Sequence, residues 1–193
     1  EDAVLGAGAR EVLLTEQIIA GAIGARLPIE DPQGTMVVDL GGGRTEIAVL
    51  SLSGIVTFKS LQLAGNELNN DIVQFARHEF NILLGERMAE QAKIKIGSAA
   101  LLEHSLDMHV RGRNLISGLP KEVVINDSQV RHALSRSIGF IIDNIKATLE
   151  VTPPELVADI YELGITLFGA GAQLKGLDVA IAAAMSIPVQ VAD

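Results

Sequence analysis

The chain has 193 residues, of which 48% are hydrophobic, only 3% are aromatic and none is tryptophan, so its core has to be built from Leu, Ile, Val and Ala. A formal charge of −9 argues against a general binder of nucleic-acid phosphates. Cysteine is absent, which excludes a disulfide framework and a thiolate metal site and points to an intracellular location.

The chain opens on the Gly/Ala-rich run EDAVLGAGAREV without an initiator Met, and it stops at SIPVQVAD, a strand-like run with no closing element. It therefore reads as a piece of a longer protein. Residues 11–16, EVLLTE, predict a short strand, and 17–27, QIIAGAIGARL, a helix packed through small residues. DPQG at 31–34 marks a turn. Three strands are expected next, TMVVDL at 35–40, TEIAVLSL at 45–52 and SGIVTFKSLQL at 53–63.

Over 66–84 the apolar residues Leu68, Ile72, Phe75, Ala76, Phe80 and Leu83 recur at helical spacing, and a more charged helix is expected over 86–96. Residues 105–113 alternate as a half-buried strand does, with 121–127 as its partner. A long helix over 126–151 opens on an Asn/Asp/Ser cap cluster and closes before Pro153 and Pro154, which themselves begin another helix. The chain finishes with a strand at 164–168, a glycine turn, a helix over 174–185 and a strand at 187–192. This is a mixed α/β pattern with a small inserted α+β subdomain over 85–125. His78, His104, His109 and His132 show no metal-ligand spacing, and no apolar run approaches the ~18 residues of a membrane span.

Two glycine turns carry the chemistry. In VVDLGGGRTEIAVLS, 37–51, Asp39 ends one strand and Gly41, Gly42 and Gly43 lead into the next. Glycines there give a phosphate access to backbone N–H groups and tolerate positive φ, while an aspartate at the strand end can hold the waters of a magnesium ion. No Gly-Lys-Ser/Thr follows, and the glycines lead into a strand rather than a helix, so neither a Walker loop nor a dinucleotide fingerprint is present. In GITLFGAGAQLKGLD, 164–178, Gly169, Ala170 and Gly171 join a strand to a helix N-terminus, which favours close approach by a nucleotide. Each turn alone reads equally well as a tight connection. Glu90 and Lys93, three apart on a helix, share a face and by themselves read as a surface ion pair.

These segments together resemble the actin and heat-shock-chaperone ATPase superfamily, and most of all its bacterial MreB branch, the rod-shape proteins. VVDLGGGRTEIAVLSLSGIV is similar to that family's second phosphate hairpin, and GITLFGAGAQLKGLD to its adenosine turn. EVLLTEQIIAGAIGARLPI resembles the segment with the catalytic glutamate, GERMAEQAKIKIGSA the helix that grips ribose and adenine, and VRGRNLISGLPKEVVIN the small subdomain beside it. The likeness covers nearly the whole chain.

It implies an actin-like ATPase lobe, a ribonuclease H-like mixed sheet with flanking helices, as the second of two lobes that close over ATP. Residues 1–30 would be the end of the first lobe and hinge, 31–84 and 126–193 the nucleotide-binding subdomain, and 85–125 the insertion. Glu16 then matches the acid that orients the attacking water, and Asp39 the residue serving the waters of Mg2+. Gly41, Gly42 and Gly43, with Arg44 and Thr45 completing the turn, fall at the β- and γ-phosphates. Glu90 and Lys93 match the ribose and adenine contacts, and Gly169, Ala170 and Gly171 the adenosine turn.

The family's usual pair of acids before a proline is reduced here to Glu16, Arg44 stands where a threonine is common, and Ala170 replaces a glycine. The first phosphate hairpin is absent, so only half a nucleotide site for ATP or ADP is expected. The resemblance further implies self-association into filaments, contact with other cell-shape or envelope-synthesis proteins, and no nucleic-acid partner. It places the protein in the cytoplasm, at the inner face of the membrane, with membrane contact through the first lobe. A chaperone-type or sugar-kinase-type ATPase of the same superfamily, and a non-hydrolysing interaction module marked by Arg44 and Ala170, are the alternatives.

Overall fold

The computed structural model describes residues 1–192; Asp193, the last residue of the expected nucleotide-binding subdomain, lies outside the described residues. In chain order the elements are α1 (Asp2–Gly6), α2 (Gln17–Gly24), β1 (Thr35–Leu40), β2 (Thr45–Ser51), β3 (Gly54–Leu61), α3 (Gly65–Phe80), β4 (Ile82–Leu84) and α4 (Glu86–Ile96). There follow β5 (Asp107–Asn114), β6 (Pro120–Asn126), α5 (Asp127–Glu150), α6 (Pro154–Leu163), β7 (Ile165–Phe168), a 3-10 turn (Ala170–Gln173), α7 (Leu177–Met185) and β8 (Val189–Val191).

The expected mixed α/β lobe is the one observed. Its main sheet has five strands in the order β3-β2-β1-β7-β8. β1, β2 and β3 are antiparallel neighbours, whereas β7 runs parallel to β1 and β8 parallel to β7. Both faces of the central strands are covered, which explains their nearly unbroken apolar runs. Met36, Val38, Leu40, Ile47 and Val49 join the larger core together with Leu134, Ile138, Ile141 and Ile145 of α5. Val37, Ala48 and Leu50 on the opposite face meet Ile18 and Ala22 of α2 and Ile29.

α5 opens on a reciprocal cap, in which Asn126 Oδ1 accepts from the Gln129 N–H (2.9 Å) and Gln129 Oε1 accepts from the Asn126 N–H (3.0 Å). A second, three-stranded antiparallel sheet, β4-β5-β6, takes in residues 82–126 beyond α3. No helix among the described residues is long and apolar enough to cross a membrane.

Several expectations fail locally. The strand expected over 11–16 does not form, and Leu13 and Leu14 are 83% and 78% exposed. No strand among the described residues lies beside it to satisfy its backbone groups. The helix expected to reach Leu84 stops at Phe80 because Asn81 turns left-handed (φ 52°, ψ 41°), and Ile82–Leu84 pair with β5 instead. The last helix starts at Leu177 rather than at 174, since Gly176 at φ +68° interrupts the chain after the 3-10 turn. The short helix α1 carried no periodic signal.

Candidate functional site

Parallel pairing of β1 with β7, in the register Asp39 to Phe168, sets the carboxyl ends of the two strands side by side. Both glycine turns leave from those ends, so residues about 130 positions apart in sequence share one rim of the sheet. Such strand ends are where open α/β sheets take ligands.

The first turn is docked onto the start of α3. Its own closure is the Gly41 N–H to Arg44 O bond (3.0 Å). The N–H groups of Gly65 and Asn66 then donate to the carbonyls of Gly41 and Gly42 at 3.1 and 2.8 Å, and Lys93 Nζ donates to Gly65 O at 2.7 Å. The N–H groups of Gly42 and Gly43 have no partner among the described residues. None of the three glycines adopts positive φ, contrary to expectation. Their use is the missing side chain: a Cβ on Gly42 would meet nothing nearer than Asn66 Oδ1 at 3.7 Å, and one on Gly43 nothing within 4 Å. The space above both is open.

The second turn is built differently. Gly169 sits at φ 86°, ψ 163°, a region essentially reserved for glycine. A Cβ there would lie 2.4 Å from Asp39 Oδ1 and 2.6 Å from Leu40 O, and one on Gly171 would lie 2.9 Å from both Leu40 Cβ and Leu40 O. These glycines let the second turn press against the end of β1.

Gly41, Gly42, Glu90, Lys93, Ala170 and Gly171 line a single cleft of about 190 Å³. Gly65, Asn66, Leu68, Ile94, Gln173, Leu174 and Lys175, none of them a site residue expected from the sequence, complete its walls. Burial holds the Lys93 ammonium below its ordinary pKa, and the Glu90 carboxylate partly offsets this. Six expected residues lie outside the cleft lining: Glu16 and Asp39, described below, and Gly43, Arg44, Thr45 and Gly169. Gly43 and Arg44 are exposed at the turn, with Arg44 3.7 Å from Glu46. Thr45 is fully buried and donates its hydroxyl to Leu63 O (2.7 Å), and Gly169 packs beneath Asp39.

Asp39 is 5% exposed, and the Gln17 side-chain amide donates to its Oδ2 at 2.6 Å. Directly across the hairpin stands Glu46, 7% exposed, so two carboxylates flank the glycine turn on the same face of the sheet. Glu16 itself is exposed at the N-cap of α2 and makes no side-chain capping bond. Gln17 and Glu46 were missed by sequence reasoning. Glu46 was legible in principle, because a hairpin from Leu40 to Thr45 pairs the next residue out on each strand, Asp39 with Glu46.

The sequence matches the family described as MreB/Mbl protein over residues 1–193. It is 40% identical over 193 residues to the cell shape-determining protein Mbl of Bacillus subtilis (strain 168), covering 100% of this chain and 58% of Mbl. It is 43% identical over 188 residues to the cell shape-determining protein MreB of Escherichia coli (strain K12), covering 97% of this chain and 54% of MreB. The chain thus spans little more than half the length of these relatives. The crystal structure of MreB5 of Spiroplasma citri bound to AMPPNP superposes with a TM-score of 0.96 at 37% identity, over 99% of this chain and 57% of MreB5. Two glycine turns on adjoining strand ends, a helix presenting Glu90 and Lys93 to both, and this extent of likeness lead to one conclusion: the chain belongs to the MreB/Mbl family.

Proposed function

We propose that the chain is the nucleotide-binding part of an actin-like protein that assembles into filaments and takes part in setting bacterial cell shape. The observation that carries this reading is the single cleft in which both glycine turns meet Glu90 and Lys93. ATP or ADP suits it on three counts. Unpartnered N–H groups are available at Gly42 and Gly43, no side chain stands over them, and the Lys93 ammonium is at hand. That MreB5 has been crystallised with AMPPNP and with ADP supports the same choice of ligand.

In this reading the Gly41–Arg44 turn takes the β- and γ-phosphates, and Thr45 serves by fixing the turn to Leu63. Glu90 and Lys93 reach ribose and adenine, and the Ala170–Gly171 backbone lies against the adenosine. A magnesium ion, when bound, neutralises charge developing on the phosphate oxygens. Asp39 suits contact with that ion through water, because Gln17 holds one carboxylate oxygen and Gly169 lies under the other. Glu16, beside Gln17, is the proposed water-orienting acid. The proposed organisation keeps 1–30 as hinge segment, 31–84 and 126–193 as nucleotide-binding subdomain and 85–125 as the small insertion. The proposed setting is the cytoplasm at the inner face of the membrane, with other cell-shape and envelope-synthesis proteins as partners. Family membership sets aside the chaperone and sugar-kinase alternatives.

The two acidic-segment residues separate in a phosphate-release assay on the full-length protein. Glu16→Ala is expected to keep ATP affinity and slow hydrolysis by roughly 10²–10⁴-fold, the range for a positioned acid or base. Gln17→Ala is expected to change the magnesium dependence of binding by freeing Asp39. If Glu16→Ala turns over at the original rate while Gln17→Ala does not, the water-orienting role moves to Gln17.

The function is tested by sedimentation of the full-length protein with and without ATP, alongside steady-state phosphate release by the 193-residue chain. Nucleotide-dependent pelleting is expected for the former. The chain alone is expected to bind ATP only weakly and to release no appreciable phosphate, since phosphoryl transfer needs charge stabilisation on every side of the phosphates. Turnover by the isolated chain that vanishes on Glu16→Ala would overturn the half-site reading. Absence of nucleotide-dependent assembly, with nucleotide still bound, would favour a non-hydrolysing interaction module.

A further inference from the structure

We propose that Glu46 is a positioning residue for the terminal phosphate of the nucleotide. Its buried carboxylate holds the Arg44 guanidinium on the Asp39 side of the glycine turn, where that guanidinium pairs with the γ-phosphate and sets a preference for ATP over ADP. This role rests on the reading of the cleft as a nucleotide site. Residues two apart along a strand share a face, so Arg44, one residue before β2, stands on the side of Glu46. The register of β1 with β2 sets Asp39 opposite Glu46 on that same face.

Glu46 needs a cation. Its side chain is only 9% exposed, and its cross-strand neighbours are Asp39, itself buried, and the uncharged Ser60. Two shielded carboxylates side by side repel, and a shielded carboxylate left without a partner is costly. Arg44 supplies the cation, with Nη1 3.7 Å from Glu46 Oε1, and Glu46 enters no other salt bridge among the described residues. A pair exposed at both ends would hold little. Here the acid is fixed by its strand, and the arginine, with 61% of its side chain exposed, is the member that turns.

The guanidinium keeps the capacity to hold a second anion. At 3.7 Å its contact with Glu46 is a charge pair and not a hydrogen bond, so it spends none of the five N–H donors. Arg44 directly follows Gly42 and Gly43, whose N–H groups have no partner among the described residues and over which no side chain stands. A planar fork beside such a turn suits phosphate oxygens, which it takes two at a time. Lys93 and Lys175, cations that line the cleft, are instead drawn to the carbonyls of Gly65 and Lys95.

The test is titration of the full-length protein with AMPPNP and with ADP, each with magnesium, so that affinity is read without turnover. The readout is the ratio of the two affinities. Arg44→Thr is expected to lower the preference for AMPPNP by about tenfold, the low end for one charge-assisted hydrogen bond, and Glu46→Gln to lower it in the same direction by less. The sign separates positioning from plain charge. An acid that only repelled the nucleotide would, once neutralised, raise the affinity for AMPPNP more than that for ADP. With Arg44 already replaced by Thr, Glu46→Gln should no longer lower the ratio, because nothing is left to position. An unchanged or higher ratio in Glu46→Gln, or an equal fall with and without Arg44, would overturn the proposal while the nucleotide reading stands, since both ligands still bind. Failure of the unsubstituted protein to bind either ligand would overturn that reading and this role with it. Arg44 is exposed, so if Glu46→Gln fails to fold, Arg44→Thr still decides: an unchanged ratio there would also overturn the proposal.

Discussion

Gly169→Ala is expected to destabilise the fold by about 3–5 kcal/mol, a strained backbone conformation costing about 1–3 kcal/mol and overpacking a similar amount. Two independent penalties meet at this residue. Its φ of 86° with ψ 163° is closed to side-chain-bearing residues, and the new methyl would press on Asp39 Oδ1 at 2.4 Å and on the Leu40 carbonyl oxygen at 2.6 Å. Neither neighbour moves freely. Leu40 belongs to the central strand, and Asp39 is clamped by Gln17. For a domain of this size the melting temperature should fall on the order of 10 °C. Thermal unfolding followed by far-UV circular dichroism reads it directly. A loss of less than a degree or two would mean that the close packing of the second turn on β1 is wrong.

Gly42→Val is the opposite case. Here φ is not positive, and a Cβ would meet nothing closer than Asn66 Oδ1 at 3.7 Å, so stability should change by no more than about 1 kcal/mol. Nucleotide affinity should fall by roughly 100-fold or more, because a branched side chain would stand over the unpartnered N–H groups at the turn. Each charge-assisted hydrogen bond lost is worth about 1.5–3 kcal/mol. Melting and nucleotide titration on one sample of the full-length protein decide the matter. A large drop in melting temperature with intact affinity would reduce the turn to a structural hairpin. The two variants together distinguish a glycine required by packing from a glycine required by a ligand.

Much of the fold was legible because its signals are local. The bounds of α4 follow from a glycine on each side, and those of α5 from the Asn126 cap and the prolines after Val151. The runs at 35–40, 45–51 and 54–61 announced β1, β2 and β3. Failures came where the deciding partner is remote in sequence. Leu13 and Leu14 look like strand residues, but a strand exists only beside another strand. Leu83 continued the helical period of α3, yet Asn81 turned and β5, some thirty residues later, claimed it as Leu83 to Arg113.

For the site, the sequence by itself determined the chemistry of the parts: two glycine turns, an aspartate at a strand end, and a Glu/Lys pair on one helical face. These are properties of short segments, set by residue type and spacing. Which parts meet was decided by tertiary structure alone. The parallel register of β1 with β7 brought Gly41–Gly42 beside Ala170–Gly171, and the packing of α4 against α3 carried Lys93 to Gly65 O. The antiparallel register of β1 with β2 set Glu46 opposite Asp39, and the docking of α2 on the sheet delivered Gln17 to the Asp39 carboxylate. Even the reason for each glycine lay beyond the sequence, because Gly42 and Gly169 differ only in what stands within 4 Å of a Cβ they do not have and in the φ each backbone adopts.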